Sequence, residues 1–400
     1  MKKAIVIGGS LGGLLAANLL QKAGWDVHVY ERVADELAER GAGIVTHPEL
    51  FAAFERIGIS SEQIGVDVPA RVTIDQAGER ICCRPHPQTL TAWGRLYVLL
   101  KNAFPAERYT SGKQLAQVVQ TPHAVNARFN DGTVVQADLL IGADGIRSTV
   151  RAQFAPEARP QYAGYVAWRG LVEEKDLSAR THRDIFSYFG FCLPLREQIL
   201  GYPVAGAHNA MEPGMRRYNF VWYRPADEDE LRRLSTDDSG KVHENGIPPP
   251  LISKRVLDEI RRTAADILSP QFAEIVEKTP QLFFQPIFDL ESSRIAFGRV
   301  ALLGDAAFVA RPHCGMGVTK AAGDAMALVD AISRHGIEEG LLQYSDARVD
   351  FGRRIVAHAR HLGAYMQAQL RTDHEREMAE RYRTPEAVMQ ETAVPPAFAS

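Results

Sequence analysis

The chain opens on Ala4-Ile5-Val6-Ile7 followed directly by Gly8-Gly9-Ser10-Leu11-Gly12-Gly13, and this strand-and-turn constrains the fold more than any other feature. A short continuous apolar run is the pattern of a strand buried on both faces of a parallel sheet. The glycines allow a tight turn and close backbone approach to a pyrophosphate, which would sit on the N-terminus of the helix that follows. Leu14 to Ala23 reads as that helix, with Gly24 at its C-cap, and Val27 to Tyr30 as the next strand. Glu31, 18 residues after Gly13, stands where an acid can bind ribose hydroxyls. The middle position of the GxGxxG pattern is Ser10. Together these features predict a dinucleotide-binding unit and leave open which dinucleotide it takes.

Met1-Lys2-Lys3 ahead of the apolar stretch to Leu20 also has the outline of a secretory signal. The glycines at turn spacing and the strand that follows argue against that reading. No other stretch reaches the ~18 apolar residues that span a bilayer, so a cytoplasmic protein without a membrane partner is expected. With 46 Lys+Arg against 49 Asp+Glu, the chain has no basic excess to suggest nucleic acid as a partner. Its four cysteines make neither a disulfide scaffold nor a CxxC pair, and no Cys/His spacing suits zinc. Metal-free chemistry is expected, with Cys82, Cys83 and Cys314 behaving as small apolar residues.

Asp138 to Gly142 and Arg299 to Gly304 are two further buried-strand runs. Between about 160 and 290 the texture changes. Aromatic segments of mixed polarity at 162–168, 186–191 and 218–223 read as strands of a largely antiparallel sheet. Residues 237–250 read as a loop, 251–275 as helix, and 321–383 as mostly helix. The stretch from Glu386 to Ser400, with prolines and small residues, reads as a loose tail. The Arg- and His-containing segment from Leu341 to Arg383 leaves homodimerisation open.

The two downstream strands each end in a short motif: Gly142-Ala143-Asp144-Gly145 and Gly304-Asp305-Ala306-Ala307, the latter followed by Pro312, Gly315 and Gly317. Taken singly, these are an Asp-Gly turn and a helix-capping Asp. In this order and spacing, the three motifs resemble the class A FAD-dependent aromatic monooxygenases, the hydroxylases built like p-hydroxybenzoate hydroxylase. The resemblance covers roughly residues 4 to 330. Gly41-Ala42-Gly43-Ile44-Val45, Trp168-Arg169-Gly170 and Arg311-Pro312-His313 are most similar to the branch acting on dihydroxypyridines.

The resemblance implies an α/β fold in which a Rossmann-like FAD-binding domain carries an inserted, mainly antiparallel β-sheet substrate domain and C-terminal helices. The FAD-binding domain would comprise 1–70, 98–170 and 285–370, the substrate domain 71–97 and 171–284, and the helix end and tail 371–400. Non-covalent FAD would be held by Gly8, Ser10, Leu11 and Gly13 at the pyrophosphate, and by Glu31 and Arg32 at the adenosine. Asp144 and Gly145 belong to the motif associated with FAD and nicotinamide, Asp305 to the ribityl contact, and Pro312, Gly315, Met316 and Gly317 to the flavin's pyrimidine end. NADH or NADPH would reduce the flavin, O2 would add to it as a C4a-hydroperoxide, and the distal OH would pass to a hydroxylated aromatic or N-heteroaromatic ring. Three departures stand out: Phe308 replaces the histidine of GDAAH, Thr319 replaces an Asn, and Tyr97 stands where a flavin-contacting Arg is expected, with Arg95 two residues away.

His47, His313 and Tyr202 are the candidate catalytic residues, since substrate ionisation needs proton-handling groups near the ring. His208 is a weaker candidate, and Tyr188 and Trp222 could line an aromatic pocket beside Tyr202. An epoxidase or reductase acting on a non-aromatic substrate, and a non-catalytic FAD-binding sensor, are the alternatives.

Overall fold

The computed structural model describes residues 1–35, 37, 43–62, 64–244 and 246–398. Gly41 and Ala42 of the Gly41-to-Val45 segment lie outside these residues. A six-stranded sheet has the order Ala296–Phe297, Val300–Leu302, Leu139–Gly142, Lys3–Ile7, Asp26–Tyr30 and Tyr109–Thr110. All its pairings are parallel except that of Ala296–Phe297. In register, Ile7 pairs with both Tyr30 and Gly142, and Gly142 pairs with Leu302. The strands therefore end level, and Gly8, Glu31, Asp144 and Asp305 emerge along one edge. The carboxyl edge of an open α/β sheet is where ligands bind.

The second sheet has eight strands, in the order Phe283–Asp289, Gln161–Glu173, Arg217–Pro225, Gln198–Val204, Phe189–Cys192, Val66–Ile74, Arg80–Ala92 and Gly43–Val45. It is antiparallel except where Phe189–Cys192 runs parallel to Val66–Ile74. Period-2 alternation divides its side chains. Ile199, Phe220 and Trp222 pack under the helices Lys254–Ile267 and Pro270–Lys278, whereas Leu200, Tyr202, Val221 and Tyr223 face the opposite way. Gly43 fits against this sheet because it lacks a side chain. A Cβ there would lie 2.4 Å from the Tyr202 ring, and the Gly43 N–H donates to Asn219 Oδ1 at 2.9 Å. A three-stranded sheet of Leu115–Gln120, Val125–Phe129 and Val134–Ala137 completes the β structure among the described residues.

A helical run, Gly317–Gly363, crosses the molecule and breaks at Gly336 (φ 78°, ψ −177°). Among the described residues, no helix is long and apolar enough to cross a membrane. Two expectations need correction. The helix over 251–275 is two helices, because Leu268 turns extended and Ser269 caps the second by accepting from the Phe272 N–H. The tail is also not loose through Phe398. Pro385–Glu391 is a helix whose Val388 and Met389 are buried, and Thr392 and Ala393 beyond it are buried too. Its prolines initiate and follow a docked helix, and this apolar burial holds the segment down. Cys83 is exposed, while Cys192 and Cys314 are buried.

Candidate active site

A cavity of about 570 Å³ runs from the carboxyl edge of the parallel sheet to the open face of the eight-stranded one. Its dinucleotide end begins at Gly8 (φ 103°), where a Cβ would meet the Ala143 carbonyl oxygen at 2.4 Å. Ser10 is the N-cap of the helix Leu11–Lys22 and makes no side-chain cap, so this helix presents uncapped N–H groups beside the turn. Gly13 does not line the cavity. A Cβ there would fall 1.9 Å from the Gly8 oxygen, so Gly13 lets the helix pack onto the turn. The buried Glu31 carboxylate accepts from the N–H groups of Gly9 at 2.7 Å and Val33 at 2.9 Å. Glu31 and Arg32 both line the cavity.

The two downstream motifs divide their work. The Asp144 carboxylate accepts from Ser148 Oγ at 2.5 Å and from the Thr149 N–H at 2.7 Å. It therefore braces the start of the helix Thr149–Phe154, and Ala143 and Gly145 line the cavity beside it. Burial pushes its carboxyl up, opposed by these hydrogen bonds. Asp305 lines the cavity and is exposed there. Desolvation raises its carboxyl and Lys320 opposes the shift.

At the far end, Pro312–Cys314 forms a single turn that Gly315 closes at φ 66°. The long helix then starts at Gly317, with Met316 at an N-cap that makes no side-chain bond. A Cβ on Gly317 would meet nothing within 4 Å, and the buried Thr319 Oγ1 has no hydrogen-bond partner. An uncapped helix start and an open glycine suit a flat group with carbonyl acceptors, as the flavin's pyrimidine end is, while Thr319 is buried and does not line the cavity. Met316 is buried and does not line the cavity. Of the departures, Phe308 is core, packed against Gly352. Tyr97 is buried and stacks on Trp93 at 5.2 Å, and Trp93 reaches the cavity where Tyr97 and Arg95 do not.

The sheet end is walled by Val45, Phe189, Leu200, Tyr202, Val221 and Tyr223, with Arg169 and Gln285 among its polar members. Burial pushes the Tyr223 phenol up to about 12, with Arg169 opposing, and raises Tyr202 as well. Both phenols stay protonated at neutral pH. Arg169 makes no ion pair with a carboxylate among the described residues, and its Nε is buried without a partner. Arg169 and Tyr223 were absent from the candidates drawn from sequence, although strand alternation from Trp168 places Arg169 on the opposite face. Trp222 belongs to the core beneath the sheet, where its Nε1 donates to Glu197 at 2.7 Å, and Tyr188 packs with Arg80.

Neither candidate histidine lines the cavity. His47 lies behind Gly315. Burial takes its pKa down to about 4, opposed by the Gly315 backbone, and its buried Nε2 has no hydrogen-bond partner. His313 is buried with Nε2 2.8 Å from Tyr165 Oη, and burial takes it to about 3. Both are neutral at pH 7. His208, at φ 53° in a short turn, is also away from the cavity.

Family models described as FAD binding domain-like and FAD binding domain match residues 162–289 and 287–359. The 2,6-dihydroxypyridine 3-monooxygenase of Paenarthrobacter nicotinovorans is 34% identical over 86% of this chain and 86% of its own. The 6-hydroxynicotinate 3-monooxygenase of Bordetella bronchiseptica is 26% identical, covering 88% of each chain. The solved structure of 2,6-dihydroxypyridine-3-hydroxylase from Arthrobacter nicotinovorans superposes with a TM-score of 0.86 at 30% identity, covering 92% of this chain and 93% of that one. A three-motif cavity edge joined to a curled antiparallel sheet, and this relationship over most of both chains, give one conclusion: the protein belongs to the FAD-dependent aromatic monooxygenases.

Proposed function

We propose that the enzyme hydroxylates a hydroxylated N-heteroaromatic ring of the dihydroxypyridine type, consuming NADH or NADPH and O2. The observation that carries this reading is the single cavity that joins the dinucleotide-binding edge to a small aromatic chamber holding Arg169. The balance is ring–H, O2, NAD(P)H and a proton giving ring–OH, water and NAD(P)+. Bound FAD supplies the electron relay and the oxygen activation.

The protein's own groups bind, orient and polarise. Gly8, Ser10, Leu11 and Glu31 would hold the adenine dinucleotide arm, Asp305 the ribityl chain, and Gly315, Gly317 and Val318 at the helix start the flavin ring. Arg169 would pair with the ring oxyanion, which favours the ionised and more nucleophilic ring. Tyr202 and Tyr223, protonated, would contact the ring, and Gln285 can both donate and accept at a ring N–H or C=O. His47 and His313, one layer behind, are positioning residues for the Gly315 turn. The apolar walls exclude water from the reacting centre.

The test supplies purified holoenzyme with dihydroxypyridine, NADH or NADPH, and labelled O2. One labelled oxygen in the ring, with NAD(P)H oxidation accelerated by the ring compound, is the expected result. Accelerated oxidation that yields only hydrogen peroxide with every hydroxypyridine tried would overturn the substrate class. No acceleration with any ligand would favour a non-catalytic flavin protein.

A further inference from the structure

We propose that the C-terminal segment 389–393 is a specificity-determining wall of the substrate chamber, and that Arg71 is the positioning residue that locks it there. The substrate half of this inference rests on the function proposed above. Thr392 and Ala393 line the cavity, yet both lie beyond the last residue matched by a family model, residue 359. The segment touches two parts of the cavity wall. On one side it is held by the sheet, on the other by the turn that carries the flavin cradle.

On the sheet side, Arg71 stands on the strand Val66–Ile74 and is fully buried. Its guanidinium donates to the carbonyl oxygens of Met389 at 3.1 Å, Thr392 at 2.5 Å and Ala393 at 3.1 Å, and to Gln88 Oε1 at 3.0 and 2.7 Å. It makes no ion pair with a carboxylate among the described residues. The buried cation meets the Met389 carbonyl in the last turn of the helix Pro385–Glu391 and the Thr392 and Ala393 carbonyls just past it, the negative end of that helix. On the turn side, the Ala393 N–H donates to the His313 carbonyl at 2.6 Å. Gly315 is the neighbour that makes room: a Cβ there would lie 3.1 Å from Ala393 Cα and 3.2 Å from His47 Nε2.

Ala393 itself is held at φ 54°, a left-handed conformation that disfavours any residue with a Cβ. Such a conformation persists only where surrounding contacts determine it. Here the two anchors do so, Arg71 on the carbonyl and His313 on the N–H. The position is therefore over-determined, which a passively trailing end has no reason to be. It also places the wall's last residue directly beside the Gly315 turn.

The test uses the full-length holoenzyme with two substitutions, Arg71→Met and Thr392→Trp. In Arg71→Met the segment loses its lock. Carboxypeptidase digestion and acrylamide quenching of the bound flavin should each rise at least threefold. The dissociation constant for dihydroxypyridine, read from flavin absorbance without turnover, should rise at least tenfold while that for FAD changes less than threefold. In Thr392→Trp the segment stays docked and the chamber narrows, so ring binding should weaken tenfold with digestion and FAD affinity unchanged. Ring binding by Thr392→Trp equal to that of the unaltered enzyme would overturn the wall, even if Arg71→Met failed to fold. Faster digestion in Arg71→Met without faster quenching or weaker ring binding would also overturn it. If the unaltered enzyme bound no hydroxypyridine, the functional reading would fall, and the quenching comparison would still decide whether the segment seals the chamber.

Discussion

The Gly304 N–H donates to Asp324 Oδ2 at 3.1 Å, so the turn that presents Asp305 to the cavity is held by a helix residue 20 positions later. Asp324 is buried with Lys320 at 3.4 Å and Arg348 at 2.7 Å, and these cations hold its carboxyl below the usual range against burial. Asp324→Ala strands the buried Lys320 and the partly buried Arg348 and frees the turn. Breaking a buried pair in this way costs about 3–5 kcal/mol. A large fall in thermal midpoint and at least a tenfold loss of FAD affinity are expected, from calorimetry and from flavin titration. Asp324→Asn keeps the Gly304 acceptor and should retain more FAD affinity than Asp324→Ala.

Gly317 offers a cleaner separation of folding from cofactor binding. A Cβ there meets no atom within 4 Å, and its φ is one that any residue adopts. Gly317→Val should change the stability of the FAD-free protein by no more than about 1 kcal/mol. The valine would nevertheless project into the cradle at the uncapped helix start. FAD affinity should drop tenfold or more by fluorescence titration. Gly13→Ala is the contrasting case, because its Cβ would strike the Gly8 oxygen at 1.9 Å and should damage the fold itself.

The two buried histidines contribute to the acid limb of stability. His47 is lowered to about 4 from 6.5, so the folded state binds fewer protons than the unfolded chain once pH falls below about 6.5. Above that pH both states are neutral at this site and it contributes no slope. Between 6.5 and about 4 stability is lost, by about 3 kcal/mol for His47 if the whole shift is expressed. His313, lowered to about 3, adds loss in the same direction and continues it further into acid. Urea unfolding at stepped pH should show this decline, and His47→Gln should make it shallower. An undiminished slope in His47→Gln would contradict the assignment.

The cofactor edge was legible because its signals are local. Gly8, Glu31, Asp144 and Asp305 each end a short apolar run, and parallel register alone aligns those ends. The substrate chamber was not, because it is assembled across distant segments. His47 and His313 read as site residues from their positions next to Val45 and Pro312, yet each turns behind Gly315 where no sequence pattern could place it. Tyr202 and Trp222 both look like strand aromatics, and only the pairing of Ile199 with Trp222 decides that one faces the cavity and the other the core. The docked tail is not legible in the sequence because its helix is held by a residue more than 300 positions earlier. Arg71 satisfies its carbonyls at that sequence distance, and no composition rule reports on such a contact.

Arg169 carries the most direct prediction about chemistry. Its strand neighbour Trp168 packs into the core, so alternation turns the guanidinium to the cavity beside Tyr223. With no carboxylate partner among the described residues, it offers a charge to an oxyanion on the ring. A charge-assisted hydrogen bond of about 1.5–3 kcal/mol corresponds to roughly 10–100-fold in affinity. Arg169→Gln should therefore raise the dissociation constant for a hydroxypyridine by that factor while FAD affinity holds. Because the cation favours the ionised ring, its loss should also move the pH at which the bound ring ionises upward, toward the free compound's own value. Arg169→Lys should restore part of the affinity and most of the pH behaviour, since it returns the charge without the planar fork. Ring ionisation that occurs at the same pH in Arg169→Gln and the unaltered enzyme, read from the bound ligand's ultraviolet spectrum, would show that the oxyanion is stabilised elsewhere in the chamber.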